Sequence, residues 1–382
     1  MSPAVSPTNS SNGEEAAGHI RVLFMANMYP SEAEPGYGSF IARQERRLSC
    51  EYGLSFKRVV STRRGGSLSN AAKYAELAWA TVAATAAGGF DLVHAHYLLP
   101  VAALSLIPAV VRRTPLVITA HGTDIYSGRR RFWKPWIARA LRRACRVITV
   151  SEFLAGELTE GFGVTLRRDP VIANMGVDTT LFTPGDTNQA KTERGLPPTT
   201  PHLVFVGNFV EQKGVVDLAH ALVLLHDGGA RFRATLLGHG PLSGEVAAIV
   251  APLGNAVRIE PVVPHAQLVG LFRSADLFVL PSRREGVGLL VCLEALSCGV
   301  PVAAGRSGGL PEIIRDGENG VLFEPADPKR IADAIRGLLS DPQALAALAA
   351  NARSSALPFD DRVQAAKVAA IYRECALRDR GS

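Results

Sequence analysis

The residues of this chain with the type and spacing to do chemistry cluster in Pro281 to Ala304, PSRREGVGLLVCLEALSCGVPVAA. Ala275 to Leu280 is a short apolar run of buried-strand type, ended by Pro281 and Ser282. A glycine-bearing loop, Arg283 to Gly288, leads into a helix with Leu289, Leu290, Leu293 and Leu296 at helical spacing. Cys298-Gly299 stops that helix, and a further strand begins at Val300. Glu285 therefore stands on a loop at the carboxyl end of a strand, where open α/β sheets bind ligands. The glycines permit close backbone approach, and the amides of Gly286 to Leu289 point from a helix start toward an anion. Glu294 lies in an otherwise apolar helix, where a carboxylate is costly without a partner. Spacing alone leaves open a solvated loop Glu and a helix Glu facing water.

Three other strand ends carry candidate groups. The run His202 to Val206 opens into Gly207 to Gly214, and Lys213 stands there beside a glycine at the start of the helix Val215 to Leu225. A cation at that place suits a phosphate; an exposed lysine is the alternative. Pro115 to Ala120 reads as a buried strand, with His121-Gly122-Thr123-Asp124 at its carboxyl end. A lone His is commonly a satisfied core residue, but a strand-to-loop switch beside Gly suits a site, and Asp124 also suits a helix cap. Ile20 to Ala26 leads into a loop with Pro35-Gly36-Tyr37-Gly38 and then a helix from Ser39 to Tyr52, with an ordinary Gly/Pro turn as the alternative. His94 and His96 alternate along the strand Asp91 to His96; they are read as facing opposite sides, which argues against a metal pair.

These stretches, taken in order, resemble the family-4 retaining glycosyltransferases of the GT-B fold, from about Arg21 to Leu357. The family's signature is a Glu, a Gly-x-Gly-type loop and a second Glu after seven residues; here eight residues separate Glu285 from Glu294. His-Ala-His at 94–96, His-Gly-x-Asp at 121–124, Asn174 to Asp178, Lys213-Gly214, Gly238-His239-Gly240-Pro241 and Ser307 to Glu312 match further family segments. The loop before Lys213 carries Asn208 where the family has Arg or Asn. The resemblance implies two facing Rossmann-like domains and hexose transfer from a nucleotide-sugar, UDP-hexose ahead of GDP-mannose, to a hydroxyl of a saccharide, lipid-linked or small-metabolite acceptor. His121, Lys213 and Glu285 would be catalytic: His121 at the donor sugar, Lys213 at the diphosphate, Glu285 on donor-sugar hydroxyls. Glu294 would hold the ribose. Gly38, Gly207, Asn208, Gly238, Gly286, Val287, Gly288, Leu289 and Leu290 would complete the donor site, with Tyr37, His96 and Asp124 on the acceptor side. No metal and no cofactor beyond the nucleotide-sugar is implied. A non-catalytic GT-B scaffold and a phosphorylase or epimerase on the same fold are the rival readings.

The positioning elements follow from composition and period. The chain has 382 residues, 47% hydrophobic, enough for two ordinary cores. Strand and helix patterns alternate in both halves, as a parallel α/β fold requires. The expected organisation is a disordered tail over 1–18, an acceptor domain over 19–185, a linker, a nucleotide-sugar domain over 200–356, and a segment 357–382 whose helix crosses back. The net charge of +6 is too weak to argue for nucleic acid. Five scattered cysteines suggest neither metal nor a disulfide framework, so a reduced, cytoplasmic setting is expected. The most apolar run, Tyr97 to Val111, is 15 residues long and contains Pro100 and Pro108, short of the roughly 20 that span a bilayer. Residues 129–146 interleave Arg129, Arg130, Arg131, Lys134, Arg139, Arg142, Arg143 and Arg146 with Phe132, Trp133, Trp136 and Ile137. That segment reads first as a sheet-covering helix with its apolar stripe inward, and second as a peripheral contact with the inner membrane face.

Overall fold

The computed structural model describes residues 19–34, 36–63, 67–128, 132–284 and 289–379; the expected tail over 1–18 lies outside them. Among the described residues, twelve strands form two six-stranded sheets. The first holds β1 (Arg21–Ala26), β2 (Ser55–Val60), β3 (Leu92–His96), β4 (Leu116–Ala120), β5 (Arg146–Thr149) and β6 (Val171–Ile172), in the order β2-β1-β3-β4-β5-β6. The second holds β7 (His202–Val206), β8 (Arg233–Leu237), β9 (Val257–Glu260), β10 (Leu277–Leu280), β11 (Val302–Gly305) and β12 (Gly320–Phe323), in the order β12-β11-β10-β7-β8-β9. Paired strands run parallel, with Val22 opposite Phe56 and Leu92, and Phe278 opposite Val204 and Val302. Parallel strands need crossovers, and helices that cover both faces bury them completely. That is why RVLFMA and LVITA are almost unbroken apolar runs. The architecture is the GT-B arrangement of two Rossmann-like sheets, and the second sheet has the doubly-wound order in which ligands bind where the winding reverses.

β3 departs from the apolar rule: His94 and His96 are both wholly buried. Their rings lie 4.1 Å apart on one face of the sheet. The expectation of opposite faces is corrected here, because residues two apart in a strand share a face.

The chain crosses between the halves twice, side by side. Val177 donates its N–H to the Phe359 carbonyl at 3.0 Å, and Asp361 donates to the Val177 carbonyl at 2.9 Å. The segment 183–200, of linker composition, contains a helix, Thr187–Glu193, capped by Asp186. Beyond the second crossing, the helix Asp361–Asp379 packs Ala365, Val368, Ala369 and Tyr372 against Val22, Leu48, Leu92, Val117 and Ile148 of the first half. Glu374 on that helix accepts from Arg146 at 3.1 Å and pairs with Arg168. Beside it Cys375 forms a disulfide with Cys145 at the foot of β5, correcting the expectation of unpaired cysteines.

Arg353 locks the first crossing. Its guanidinium donates to the carbonyls of Phe182 (3.2 Å), Ser297 (2.7 Å) and Thr179 (3.2 Å). Charged hydrogen bonds contribute more than neutral ones, and removing the donor takes it from the Ser297 and Thr179 carbonyls, while the Phe182 carbonyl keeps the Ser297 hydroxyl at 2.6 Å. Arg353→Ala should lower stability by about 2–3 kcal/mol in urea denaturation; a change below about 0.5 kcal/mol would assign the lock elsewhere.

Candidate active site

In the first sheet the winding reverses between β1 and β3, so the loops after Ala26 and His96 part and open a crevice. The loop after β1 ends at Gly38, the N-cap of the helix Ser39–Tyr52, with φ of 73°. A Cβ there would stand 2.9 Å from the Met28 carbonyl oxygen, so glycine is required by both conformation and space. Tyr37, just before it, is half-buried, and its hydroxyl accepts from Lys73 Nζ at 3.0 Å. Lys73 is buried at 5% exposure, and nothing in its sequence surroundings singles it out.

His121 follows β4 and faces Phe40 (ring centroids 5.7 Å) and Tyr97 (4.4 Å). The loop that carries it is tied down by Asp124. This carboxylate, 5% exposed, accepts the N–H of Leu98 (2.9 Å), His121 (3.1 Å) and Gly122 (2.7 Å). Burial pushes its pKa up, and the backbone donors oppose that. His121 Nε2 lies 3.1 Å from Nδ1 of His96. Behind them His94 is held by the Tyr372 hydroxyl at Nδ1 and by Thr119 Oγ1 at Nε2 (2.8 Å). Burial pushes His94 and His121 down to about 3, and His96 well below its ordinary value, so all three rings are neutral at working pH. His96 and Asp124, expected on the acceptor side, are enclosed behind the cleft and do not line it.

In the second sheet the reversal falls between β7 and β10. Around the carboxyl ends of β7 and β8 stand Gly207, the exposed Asn208, the half-buried Lys213 and Gly238. Gly207 donates to the Leu237 carbonyl at 3.0 Å, and Phe209 to the His239 carbonyl at 2.9 Å, which knits the two loops together. At Gly238 a Cβ would stand 1.9 Å from the Gly207 carbonyl oxygen. The turn after β10 is anchored to the Lys213 loop by Arg283, which no sequence motif marks out. Arg283 grips Asp217 through two hydrogen bonds of 2.7 Å, and its backbone N–H donates to Gln212 at 2.9 Å. Glu285, Gly286, Val287 and Gly288 lie outside the described residues.

Between the halves is a small cleft, with a cavity volume of about 30 Å³. The first half lines it with Phe40, His121, Val150 and Asn174 to Gly176, and the second with Leu289, Leu290 and Leu293. His121 thus meets the helix start that carries the predicted Leu289 and Leu290. Glu294, further along that helix, is buried, and its partner is His265: Oε1 lies 2.6 Å from Nε2. Glu312 reaches across the halves. Its carboxylate accepts the N–H groups of Glu152 (2.9 Å) and Phe153 (2.8 Å) at the start of the helix Glu152–Phe162. Among the described residues no group of three or more His, Cys, Asp or Glu is arranged to hold a metal ion.

The basic-aromatic segment splits. Ile137 and Leu141 of the helix Lys134–Arg143 are buried, but Phe132 is 71% and Trp136 52% exposed. The expectation that the whole apolar stripe faces the core is therefore corrected; Arg129, Arg130 and Arg131 lie outside the described residues. No described helix is long and apolar enough to cross a membrane.

Comparison with known proteins agrees with this geometry. Residues 20–181 match the model of Glycosyltransferase Family 4, and residues 186–355 that of Glycosyl transferases group 1. A D-inositol 3-phosphate glycosyltransferase of Catenulispora acidiphila is 35% identical over 318 residues, covering 78% of this chain and 75% of the relative. One from Thermobispora bispora is 34% identical over 307 residues, covering 75% and 71%. Among solved structures, sucrose-phosphate synthase from Thermosynechococcus elongatus superposes with a TM-score of 0.77 at 21% identity, over 93% of this chain and 99% of that one. Anabaena HepE, solved with UDP-glucose, gives 0.73 at 20% identity, over 92% and 99%.

The buried histidines set a pH dependence. His202, held between the Ser274 carbonyl (3.0 Å) and Thr235 Oγ1 (2.8 Å), is also pushed down, to about 4. Unfolded, these imidazoles take up protons as pH drops through 6.5; folded, they do not. Stability should therefore hold above about pH 7 and fall from about 6.5 toward 4, each ring adding up to about 1.4 kcal/mol per pH unit. Urea titrations at pH 7.5, 6 and 5 measure this; a flat profile would mean the rings are charged in the fold.

Proposed function

This chain belongs to the family-4 glycosyltransferases of the GT-B fold, and from that premise we propose a retaining hexosyltransferase that moves a hexose from a nucleotide-sugar to a hydroxyl of a phosphorylated polyol. The observation that carries the transferase reading is the shared cleft: His121 at a strand end of one sheet faces the helix start at Leu289 and Leu290 from the other. Lys213 and the helix-start amides stabilise the diphosphate leaving group, the interaction that dominates such chemistry. Glu294, oriented by His265, holds the ribose. Attack comes from the face the leaving group departs, and the leaving phosphate takes the acceptor's proton, so no protein base is needed. A neutral His121 suits that scheme as a hydrogen-bond donor. UDP-hexose is the donor in this reading, with GDP-mannose second. No metal or cofactor is required, so activity should survive chelation.

The polyol-phosphate acceptor has two supports. Relatives 30–35% identical to this chain carry the name D-inositol 3-phosphate glycosyltransferase. A buried ammonium is also costly without an anion, and Lys73 has the Tyr37 phenol as its described partner. An acceptor phosphate would supply the charge. A peripheral membrane contact is a second, separate reading, supported by exposed Phe132 and Trp136 among Lys134, Arg139 and Arg142.

Thermal shift against a panel of nucleotides and nucleotide-sugars, on wild type and Lys213→Ala, tests the donor. One base should give a selective shift, lost in the variant, and kcat should fall on the order of 10²–10³-fold. No shift with any nucleotide would favour the scaffold, and product without an acceptor, or only with phosphate, would favour the epimerase or phosphorylase. Lys73→Met should raise KM for inositol 3-phosphate at least about tenfold, a loss of about 1.4 kcal/mol, and leave the donor's KM unchanged. Equal activity on inositol and inositol 3-phosphate would remove the phosphate from the acceptor.

A further inference from the structure

The pair His96–His121 sits on the boundary between core and cleft. His96 is wholly buried, with Nδ1 3.1 Å from Nε2 of His121, and its other nitrogen, Nε2, is buried with no partner. The ring cannot swing away from this contact: Phe24 lies against it at 4.6 Å and His94 at 4.1 Å. Two neutral rings sharing one hydrogen bond have two proton arrangements. In one, His121 Nε2–H donates to His96, whose own proton must then sit on Nε2 as an orphaned buried N–H. In the other, His96 Nδ1–H donates to His121, and the orphan on His96 is only a lone pair. Orphaned buried N–H groups are the rarer defect in folded proteins, and under-satisfied acceptors are better tolerated.

We propose that His96 is a positioning residue which donates through Nδ1 to Nε2 of His121, and thereby fixes His121 as the Nδ1–H tautomer, a hydrogen-bond donor toward the cleft and not a base. Burial keeps both rings neutral, so the arrangement persists across the working pH range. With Nε2 turned inward, Nδ1–H and the carbon edge of His121 are left for the cleft that it lines beside Phe40 and Leu289. A donor fits a sugar or phosphate oxygen in that space. The same partner hydrogen bond that selects a histidine tautomer at metal and acid–base sites does so here between two imidazoles.

The test is ¹⁵N-histidine NMR on the full chain, with steady-state kinetics on His96→Phe and His96→Asn. In wild type, His121 should show a protonated Nδ1 and an unprotonated Nε2. In His96→Phe the donor is gone, so His121 should show mixed tautomers, and kcat should fall about 10–100-fold with the nucleotide-sugar KM within about twofold. Asn carries an amide donor near the Nδ1 position, so His96→Asn should restore the wild-type tautomer and most of kcat. A protonated Nε2 on wild-type His121, or a His96→Phe enzyme with unchanged His121 signals and kcat, would overturn the assignment. The kinetic arm rests on the transferase reading. The NMR arm does not, so the tautomer is still measured in a chain that binds no nucleotide, and His96→Asn covers the case in which His96→Phe fails to fold.

Discussion

The carboxylate of Asp124 is the constraint on which the first half of the cleft depends. An ionised carboxylate buried away from water is costly, and the cost is offset only if its oxygens are filled. Here they are filled by backbone N–H groups from two loops, after β3 and after β4. The two strand ends cannot move apart without stranding the charge. Tyr97, at φ of 76°, occupies a conformation rare for a bulky residue; its N–H donates to the Thr119 carbonyl, and the next residue, Leu98, donates to Asp124. With Tyr97 and His121 both immobilised, the stack of rings reaching back through His96 and His94 to Tyr372 has one arrangement.

The second half solves the same problem with an ion pair. Arg283 closes on Asp217 in planar, two-pronged geometry, and so binds the turn after β10 to the loop before Val215. The Arg283 backbone N–H, donating to the Gln212 carbonyl, ties the same two loops beside the ion pair. Between the halves the contacts are few and specific. Glu312 caps the helix Glu152–Phe162 across the cleft, and the paired crossings at Val177 and Phe359 are hydrogen-bonded to each other. The helix Asp361–Asp379 fastens the chain's end to the first sheet through packing, Glu374 and the Cys145–Cys375 disulfide.

The amino-acid sequence determined the elements and the places of the loops. Buried parallel strands are local apolar runs, and whether a residue follows a strand is a local fact, so His121, Lys213 and Gly38 were legible at strand ends and helix starts. Even local signals failed where burial was partial. β2, SFKRVV, is an edge strand whose Lys57 and Arg58 break the run, and the helix Thr187–Glu193 hid in a Gly/Pro-rich stretch. The shared face of His94 and His96 follows from the period of two, but the expectation placed them on opposite faces and the structure corrected it. What only the tertiary structure decided is which distant groups meet. Glu294 finds His265, Asp124 finds Leu98, Arg353 finds Thr179, and Cys145 finds Cys375 230 residues away. The physical reason is that such pairs follow from the order of strands in the sheets and from the path of the crossings, and neither is written in the spacing of residues along one segment.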